Sequence, residues 1–140
     1  MRSMNGSLRI SVRRTLMLAT LGMLSIASPA RTHHSQGMYD SSTWLTLEGT
    51  VRQMNWTFPH ASIYLDVQDD QRHAQTWSLG AGNPNAVQDA GVSKDDIRPG
   101  DRIKVRCHPL RDGWTGCVLG FVTPMHGDRA RGHGVERAWN

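Results

Sequence analysis

Apolar and polar residues alternate along most of the chain from Leu45 onward. Alternation over four to eight residues is typical of β-strands that bury one face and expose the other. In one run, for example, Ile103, Val105 and Cys107 alternate with charged residues. The runs that show this pattern cover residues 45–56, 62–67, 74–79, 102–107 and 116–123. The pattern therefore predicts five strands.

The stretch between the third and fourth runs has the features of a short helix. Asn83 can cap its start, Pro84 suits the first helical position, and Gly91 can end it. Three strands, a short helix and two strands form the element order of an OB-fold. We therefore predict an all-β fold class with one short helix, arranged as a small five-stranded OB-like barrel. An open β-sandwich fragment is the alternative, and the helix disfavours it.

The first strand is predicted to bend. Its apolar residues change from odd positions, such as Leu47 and Val51, to even positions, Met54 and Trp56. One extra residue in a β-bulge produces such a change of phase. Gly49 is the expected place for the bend, because glycine in a strand often marks one.

The first thirty residues have the three zones of a secretory signal peptide. Four arginines and no acid precede an apolar run from Thr15 to Ala27, and Ser28-Pro29-Ala30 offers small residues for cleavage after Ala30. A membrane anchor is the alternative, but a spanning helix needs roughly 20 apolar residues and this run is shorter. We therefore predict a signal peptide at residues 1–30, a periplasmic or secreted mature protein, and no stable membrane anchor after cleavage.

The mature chain is expected to form one domain, because its length of about 110 residues suits one domain and is too short for two. An irregular N-terminal arm is predicted at residues 31–43 and the OB-like barrel domain at 44–124. Residues 125–140 are rich in Gly and Arg and lack periodicity, so they are expected to form a disordered tail.

Removal of the signal peptide changes the charge of the protein. The whole chain has 16 Lys and Arg against 12 Asp and Glu, a net charge of +4. Residues 1–30 hold four of the basic residues and none of the acidic ones, so the mature chain carries twelve of each. A neutral chain lacks the basic surface that binds phosphate backbones. Nucleic acid is therefore not an expected partner.

Cys107 and Cys117 are expected to form a disulfide. They lie on the two arms of the last predicted hairpin, whose turn is indicated by Arg111-Asp112-Gly113. A three-residue loop there would place the two cysteines directly opposite each other. Exported proteins meet an oxidising compartment, which favours the bond. A redox-active or metal-binding thiol pair is the alternative, but the spacing is not C-x-x-C.

The mature N-terminus is the first candidate for metal binding. Cleavage after Ala30 would make His33 the third residue. A free amine, two backbone amides and an imidazole can surround Cu(II) in the square plane that this ion favours. His34 could add a ligand, and His60 is a further candidate. A solvated arm with two incidental histidines is the favoured interpretation, so no cofactor is expected, and Cu(II) is the alternative.

A corner between the first two predicted strands holds the candidate ligand-binding residues. Pro59 is expected to set a tight corner there. Packing and hydrogen bonding at this corner are the favoured roles of Trp56 and His60, and ligand contact is the alternative. If the corner contacts a ligand, the candidate ligand-binding residues are Trp56, His60 and Tyr64.

Four short motifs give the chain a resemblance to a known family. They are His33-His34-Ser35, the W-x-x-P-H stretch from Trp56 to His60, Gly82-Asn83-Pro84-Asn85 and Ile97-Arg98-Pro99-Gly100-Asp101. In order and spacing these motifs resemble a family of small exported bacterial proteins classed as a domain of unknown function. The family pattern is W-x-N-P-H, and Phe58 replaces its Asn here. The resemblance implies export and a small OB-like β-domain, and it transfers no activity.

No catalytic constellation is evident in the sequence. No serine lies in G-x-S-x-G, and there is no Gly-rich phosphate loop. We therefore predict that the protein is not an enzyme but an exported binding module, whose partner is an unidentified small molecule, glycan or protein. A periplasmic copper-binding protein that uses the N-terminal histidines is the alternative.

Overall fold

Five long strands and one short helix follow one another in the predicted order. A computed structural model describes residues 36–140. Its elements are β1 (Leu45–Asn55), β2 (Ser62–Gln68), β3 (Ala74–Gly80), α1 (Pro84–Asp89), β4 (Arg102–Pro109), β5 (Gly116–Pro124) and the short β6 (Arg137–Ala138), with 3₁₀ turns at Gln36–Met38 and Arg129–Arg131. The predicted signal peptide, His33 and His34 lie outside the described residues.

The strands close into a barrel. β1 pairs antiparallel with both β2 and β4, while β3 continues the sheet beyond β2 and β5 continues it beyond β4. The parallel pairing of Ser78–Gly80 with Gly116–Val118 joins these two edges. The order around the barrel is therefore β1-β2-β3-β5-β4, which confirms the five-stranded OB-like fold and excludes the open sandwich.

Alternate residues of the strands fill the barrel. Strand residues exposed by 1% or less are Val51, Ile63, Leu65, Leu79, Ile103, Val105, Cys107, Cys117, Leu119 and Val122. Helix α1 adds Val87 to this core, and the Asn83 side chain caps the helix by accepting a hydrogen bond of 3.0 Å from the backbone N–H of Ala86. The predicted cap, the proline at the first turn and the end at Gly91, whose φ is +84°, are all present. Within residues 36–140 no helix is long and apolar enough to cross a membrane.

The bulge in β1 is present, but it lies after the glycine that was expected to mark it. The register of β1 against β2 shifts between Val51 and Gln53. Gly49 serves a different purpose, because a Cβ atom there would collide with the backbone carbonyl of Asp66. The glycine therefore permits the close approach of β1 and β2, and the extra residue that changes the phase, Arg52, follows three positions later.

Cys107 and Cys117 form the predicted disulfide, with their Cα atoms 5.7 Å apart. The predicted hairpin register is wrong, because Cys117 faces Pro109 and Cys107 faces Leu119. The turn is longer than three residues, and a bulge between Arg106 and Cys107 also shifts the pairing. The two cysteines are thus diagonal neighbours on adjacent strands, which still allows the bond.

Residues 125–140 depart from the expected disordered tail and pack against the barrel. Trp139 is only 2% exposed, and its backbone N–H donates to the carbonyl of Gly120 over 3.0 Å. Arg131 forms an ion pair of 2.7 Å with Asp101, at the turn before β4. The buried indole, the ion pair of Arg131 and the pairing of β6 with β5 hold this segment through contacts with residues outside it.

Candidate binding cleft

A cleft of about 440 Å³ opens where β3 meets β5. The described residues that line it are Tyr39, Ser41, His60, Gly80, Ala81, His108, Val118 and Asn140. Its volume lies in the range of small-molecule sites, about 300–1,000 Å³. Among these lining residues there is no Asp, Glu, Lys or Arg, and their polar side chains carry hydroxyls, imidazoles and an amide.

The floor of the cleft is set by the register of three strands. Gly80 of β3 pairs with Val118 of β5, and Val118 pairs with His108 of β4. Because glycine has no side chain, β3 leaves open space above its last residue. A Cβ atom at Gly80 would be 3.9 Å from the Tyr39 hydroxyl, so the tyrosine lies above this floor.

The end of the N-terminal arm forms one wall of the cleft. Tyr39 makes an isolated β-bridge with Leu110, and the backbone N–H of Asp40 donates to the carbonyl of Pro109 over 2.8 Å. The Asp40 carboxylate accepts hydrogen bonds from the hydroxyls of Ser42 (2.6 Å) and Thr43 (2.7 Å). These bonds, the Ser42 hydroxyl first, lower the pKa of Asp40 from 3.8 to about 2. The described part of the arm is therefore an ordered element joined to β4.

His108 stands on the β4 side of the cleft in a defined orientation. Its Nδ1 lies 2.7 Å from the backbone carbonyl oxygen of Thr43, and its ring lies 4.0 Å from that of Trp44 between centroids. A carbonyl oxygen can only accept, so Nδ1 carries the hydrogen. In the neutral ring this leaves the lone pair on Nε2, the nitrogen that is free to act as a ligand or acceptor.

His60 stands on the opposite side, in the loop between β1 and β2. It follows a cis peptide bond between Phe58 and Pro59. The next residue, Ala61, donates to the carbonyl of Gly82 over 3.0 Å and accepts from the N–H of Ala81 over 2.9 Å. This paired backbone holds the loop against the end of β3, and His60 is one of the residues that line the cleft, as His108 is.

The other two residues singled out for ligand binding lie elsewhere. Trp56 is half-buried and packs edge-on against Trp139, with ring centroids 6.0 Å apart. Tyr64 lies on β2 between Ile63 and Leu65, both fully buried, so its side chain is on the outer face of the barrel. Of the three candidates, only His60 lines the cleft.

Several lining residues were missed by sequence analysis. Tyr39 and Ser41 belong to the arm that was expected to be irregular, and Asn140 to the expected tail. His108 was available as a prediction, because it follows the inward-facing Cys107 and must therefore point outward. Nothing in the alternation pattern, however, indicates that the arm covers this part of β4.

No group of three or more His, Cys, Asp or Glu side chains is placed to hold a metal ion within residues 36–140. The two cysteines are joined to each other, so no free thiol is present there. His33 and His34, the first candidates for copper binding, lie outside this range.

Comparisons with known proteins give one family and a distant structural likeness. The model of a family of unknown function, DUF6152, matches residues 20–119, which is more than half of the chain. Two crystal structures of Rim1, a mitochondrial single-stranded DNA-binding protein from S. cerevisiae, are similar with TM-scores of 0.48 and 0.45. Each is 8% identical and covers 61% of this chain, and this chain covers 96% and 97% of theirs. No curated protein matches the chain.

Proposed function

Since the chain belongs to DUF6152, a family of unknown function, we propose a function from the site itself: an exported, non-enzymatic binding module whose ligand occupies the cleft between β3, β5 and the arm. The observation that carries this proposal is the cleft of about 440 Å³. It combines an apolar floor with a few polar groups at its edge, which is the usual composition of a small-molecule site.

The polar groups that line the cleft support a neutral, hydrogen-bonding ligand. Tyr39 and Ser41 offer hydroxyls, and Asn140 offers an amide. None of the described lining side chains carries a carboxylate, ammonium or guanidinium group, so these side chains favour hydrogen bonds over ion pairs with the ligand. Sugars and small polar amides fit these properties.

A cleft-filling variant tests the proposal. Gly80→Leu would place a side chain in the cleft, whereas Ser78→Leu introduces the same side chain two residues earlier on β3, at an exposed position that does not line the cleft. We expect a panel of monosaccharides, disaccharides and small amides to contain a compound that shifts amide NMR signals at Tyr39, Gly80 and Val118. Gly80→Leu should abolish those shifts, and Ser78→Leu should keep them.

Two results would contradict this proposal. One is that no compound of the panel changes the amide NMR signals of residues around the cleft. The other is turnover of substrates from a hydrolase panel by the folded protein, which would replace a binding role with a catalytic one.

Copper binding by the N-terminal arm is the second candidate function. Its support is that His60 and Tyr39 line the same cleft and that Tyr39 follows His34 by five residues. Five residues span at most about 18 Å, which sets the largest possible distance between the Cα atoms of His34 and Tyr39. Titration of the processed protein with Cu(II), beside a His33→Ala variant, tests this candidate, and equal affinities would contradict it.

A further inference from the structure

We propose that residues 125–140 form a pH-sensitive strap, which protonation of His126 and His133 releases from the barrel at mildly acidic pH. Both imidazoles are partly exposed, and their rings lie 6.1 Å apart between centroids, in the turn that leads from β5 into the strap. Histidine is the side chain that ordinarily changes its charge between about pH 5 and pH 8. These two residues can therefore respond to a pH change that leaves carboxylates and arginines unaltered.

The hydrogen bonds of the two rings require the neutral form of the imidazole. The backbone N–H of Asp128 donates to Nδ1 of His126 over 3.1 Å, and the N–H of Gly127 donates to Nδ1 of His133 over 2.9 Å. A backbone N–H can only donate, so each Nδ1 carries a lone pair. In His126, Nε2 therefore carries the hydrogen and donates to the carbonyl of Asp96 over 3.1 Å. Protonation places a hydrogen on each Nδ1, facing a backbone N–H, so neither of these bonds to Nδ1 survives.

The charged groups next to this turn do not replace the lost bonds. They are Asp96, Asp101 and Arg102 at and before the start of β4, and Asp128, Arg129, Arg131, Glu136 and Arg137 in the strap. Each of the four carboxylates among them already has an arginine partner, at 2.7–3.3 Å. Arg102 pairs with Glu48 over 3.9 Å, and Arg129 is exposed. Within this group, a protonated imidazole therefore finds no unpaired carboxylate.

Two of these carboxylates stay ionised in the range where histidine titrates. The hydrogen bond from Arg131 lowers the pKa of Asp128 below its usual range. Burial raises the pKa of Asp101, but the hydrogen bonds from Arg131 and from the backbone N–H of Arg98 outweigh it, so this pKa is lowered as well. Both carboxylates therefore remain charged at about pH 5, and a release at that pH is a property of the imidazoles.

Release of the strap would change the cleft. The N–H of Gly82 donates to the carbonyl of Trp139 over 2.7 Å, and the next residue, Asn140, lines the cleft. A released strap would remove this part of the lining, so the cleft would bind its ligand less tightly at mildly acidic pH. This consequence rests on the proposed function, whereas the release itself does not.

Amide exchange measured by NMR on the folded protein tests the release without any ligand. The N–H of Gly134 donates to the carbonyl of Pro124 over 2.8 Å, and that of Trp139 donates to Gly120 over 3.0 Å, so both amides report on the attachment of the strap to β5. We expect their protection factors, which are corrected for the intrinsic effect of pH on exchange, to fall roughly tenfold or more between about pH 7.5 and about pH 5. Amides of the β1–β4 pairing should keep their protection.

The double variant His126→Asn, His133→Asn identifies the groups responsible. The side-chain oxygen of Asn can accept the same backbone N–H groups and does not titrate, so this variant should keep the protection of the strap at about pH 5. His73→Asn is the matched control, because His73 lies in the β2–β3 turn with 73% of its side chain exposed, and it should behave as the wild type does. If circular dichroism shows that the double variant is unfolded, the two single variants decide, since each should lose less protection than the wild type.

Two results would overturn the proposal. One is equal protection of the strap amides in the wild type at both pH values. The other is the same loss of protection in the wild type and in the asparagine variants. Neither result bears on the ligand screen of the cleft, and a screen without a ligand would not alter the exchange rates, so the two proposals fail separately.

Discussion

Asp40 stabilises the turn that leads from the arm into β1. Its carboxylate accepts from Ser42 and Thr43, and its pKa is about 2 in the folded protein. A carboxyl whose pKa is lower in the folded than in the unfolded state adds stability above the unfolded value, and this contribution is lost as the pH falls through the folded value. The contribution of Asp40 is therefore present at neutral pH and disappears between about pH 4 and pH 2.

The variant Asp40→Asn tests this dependence. We expect it to be less stable than the wild type at neutral pH, and we expect the difference to narrow as the pH falls from about 4 to 2. Urea denaturation midpoints at a series of pH values measure the effect. Asp70→Asn, at an exposed turn, is the control. A difference between Asp40→Asn and wild type that stays constant down to pH 2 would show that the hydrogen bonds of the carboxylate are not responsible.

Gly49 is a second residue whose role follows from one contact. A methyl group there would meet the backbone of Asp66, which cannot move without disturbing the β1–β2 pairing. We expect Gly49→Ala to destabilise the protein by about 1–3 kcal/mol, the usual cost of forcing extra atoms into a packed site. Gly80→Ala is the matched control, because the nearest atoms there lie 3.9 Å from the added Cβ. Equal denaturation midpoints for the two variants would contradict this prediction.

Local sequence patterns were sufficient to predict the helix and the strands, but they were not sufficient to predict how the strands pair. Helix α1 was predictable because Asn83 and Pro84 act on their immediate neighbours. The β4–β5 register was not, because loop length depends on turn geometry that Asp112-Gly113 alone does not specify. The disulfide was correctly predicted from a wrong register, since Cys107 and Cys117 are close enough to bond as diagonal neighbours.

Composition alone predicted a disordered tail at residues 125–140, whereas the structure shows an ordered segment. Trp139 is buried beside Trp56, and β6 pairs with Phe121 and Val122 of β5. The strand itself is only two residues long, too short to produce an alternation pattern. Trp139 contacts a residue more than 80 positions away, and periodicity cannot reveal such a contact.

Trp139→Ala measures how much this segment contributes. Removing a buried Trp side chain typically costs about 3–5 kcal/mol, and we expect a loss of this size. Trp114→Ala is the control, because Trp114 is 74% exposed and its replacement should change stability by less than about 0.5 kcal/mol. Guanidinium denaturation of both variants gives the comparison. A negligible effect of Trp139→Ala would mean that residues 125–140 behave as the disordered tail that their composition suggests.

At the scale of the whole molecule, the fold class was predictable and the cleft was not. The barrel follows from alternation and element order, which are properties of adjacent residues. The cleft combines the arm, the β1–β2 loop, the end of β3 and the chain near Asn140. Segments so far apart in sequence come together only after the barrel closes, so the sequence could suggest His60 singly but not the set of residues that line the cleft with it.

Charge is the remaining property of the whole molecule, and it leads to a prediction about nucleic acid. Binding to a phosphate backbone is dominated by Lys and Arg and weakens steeply with salt. The predicted mature chain has twelve basic and twelve acidic residues, and several of the basic ones, including Arg52, Arg106 and Arg131, are already paired with carboxylates.

We therefore expect the processed protein not to bind a fluorescent oligothymidylate at physiological salt in an anisotropy titration. The unprocessed chain, with its net charge of +4, is the matched comparison and should bind weakly at low salt only. Tight binding by the processed protein that weakens with salt would contradict this prediction and make nucleic acid a ligand of the barrel.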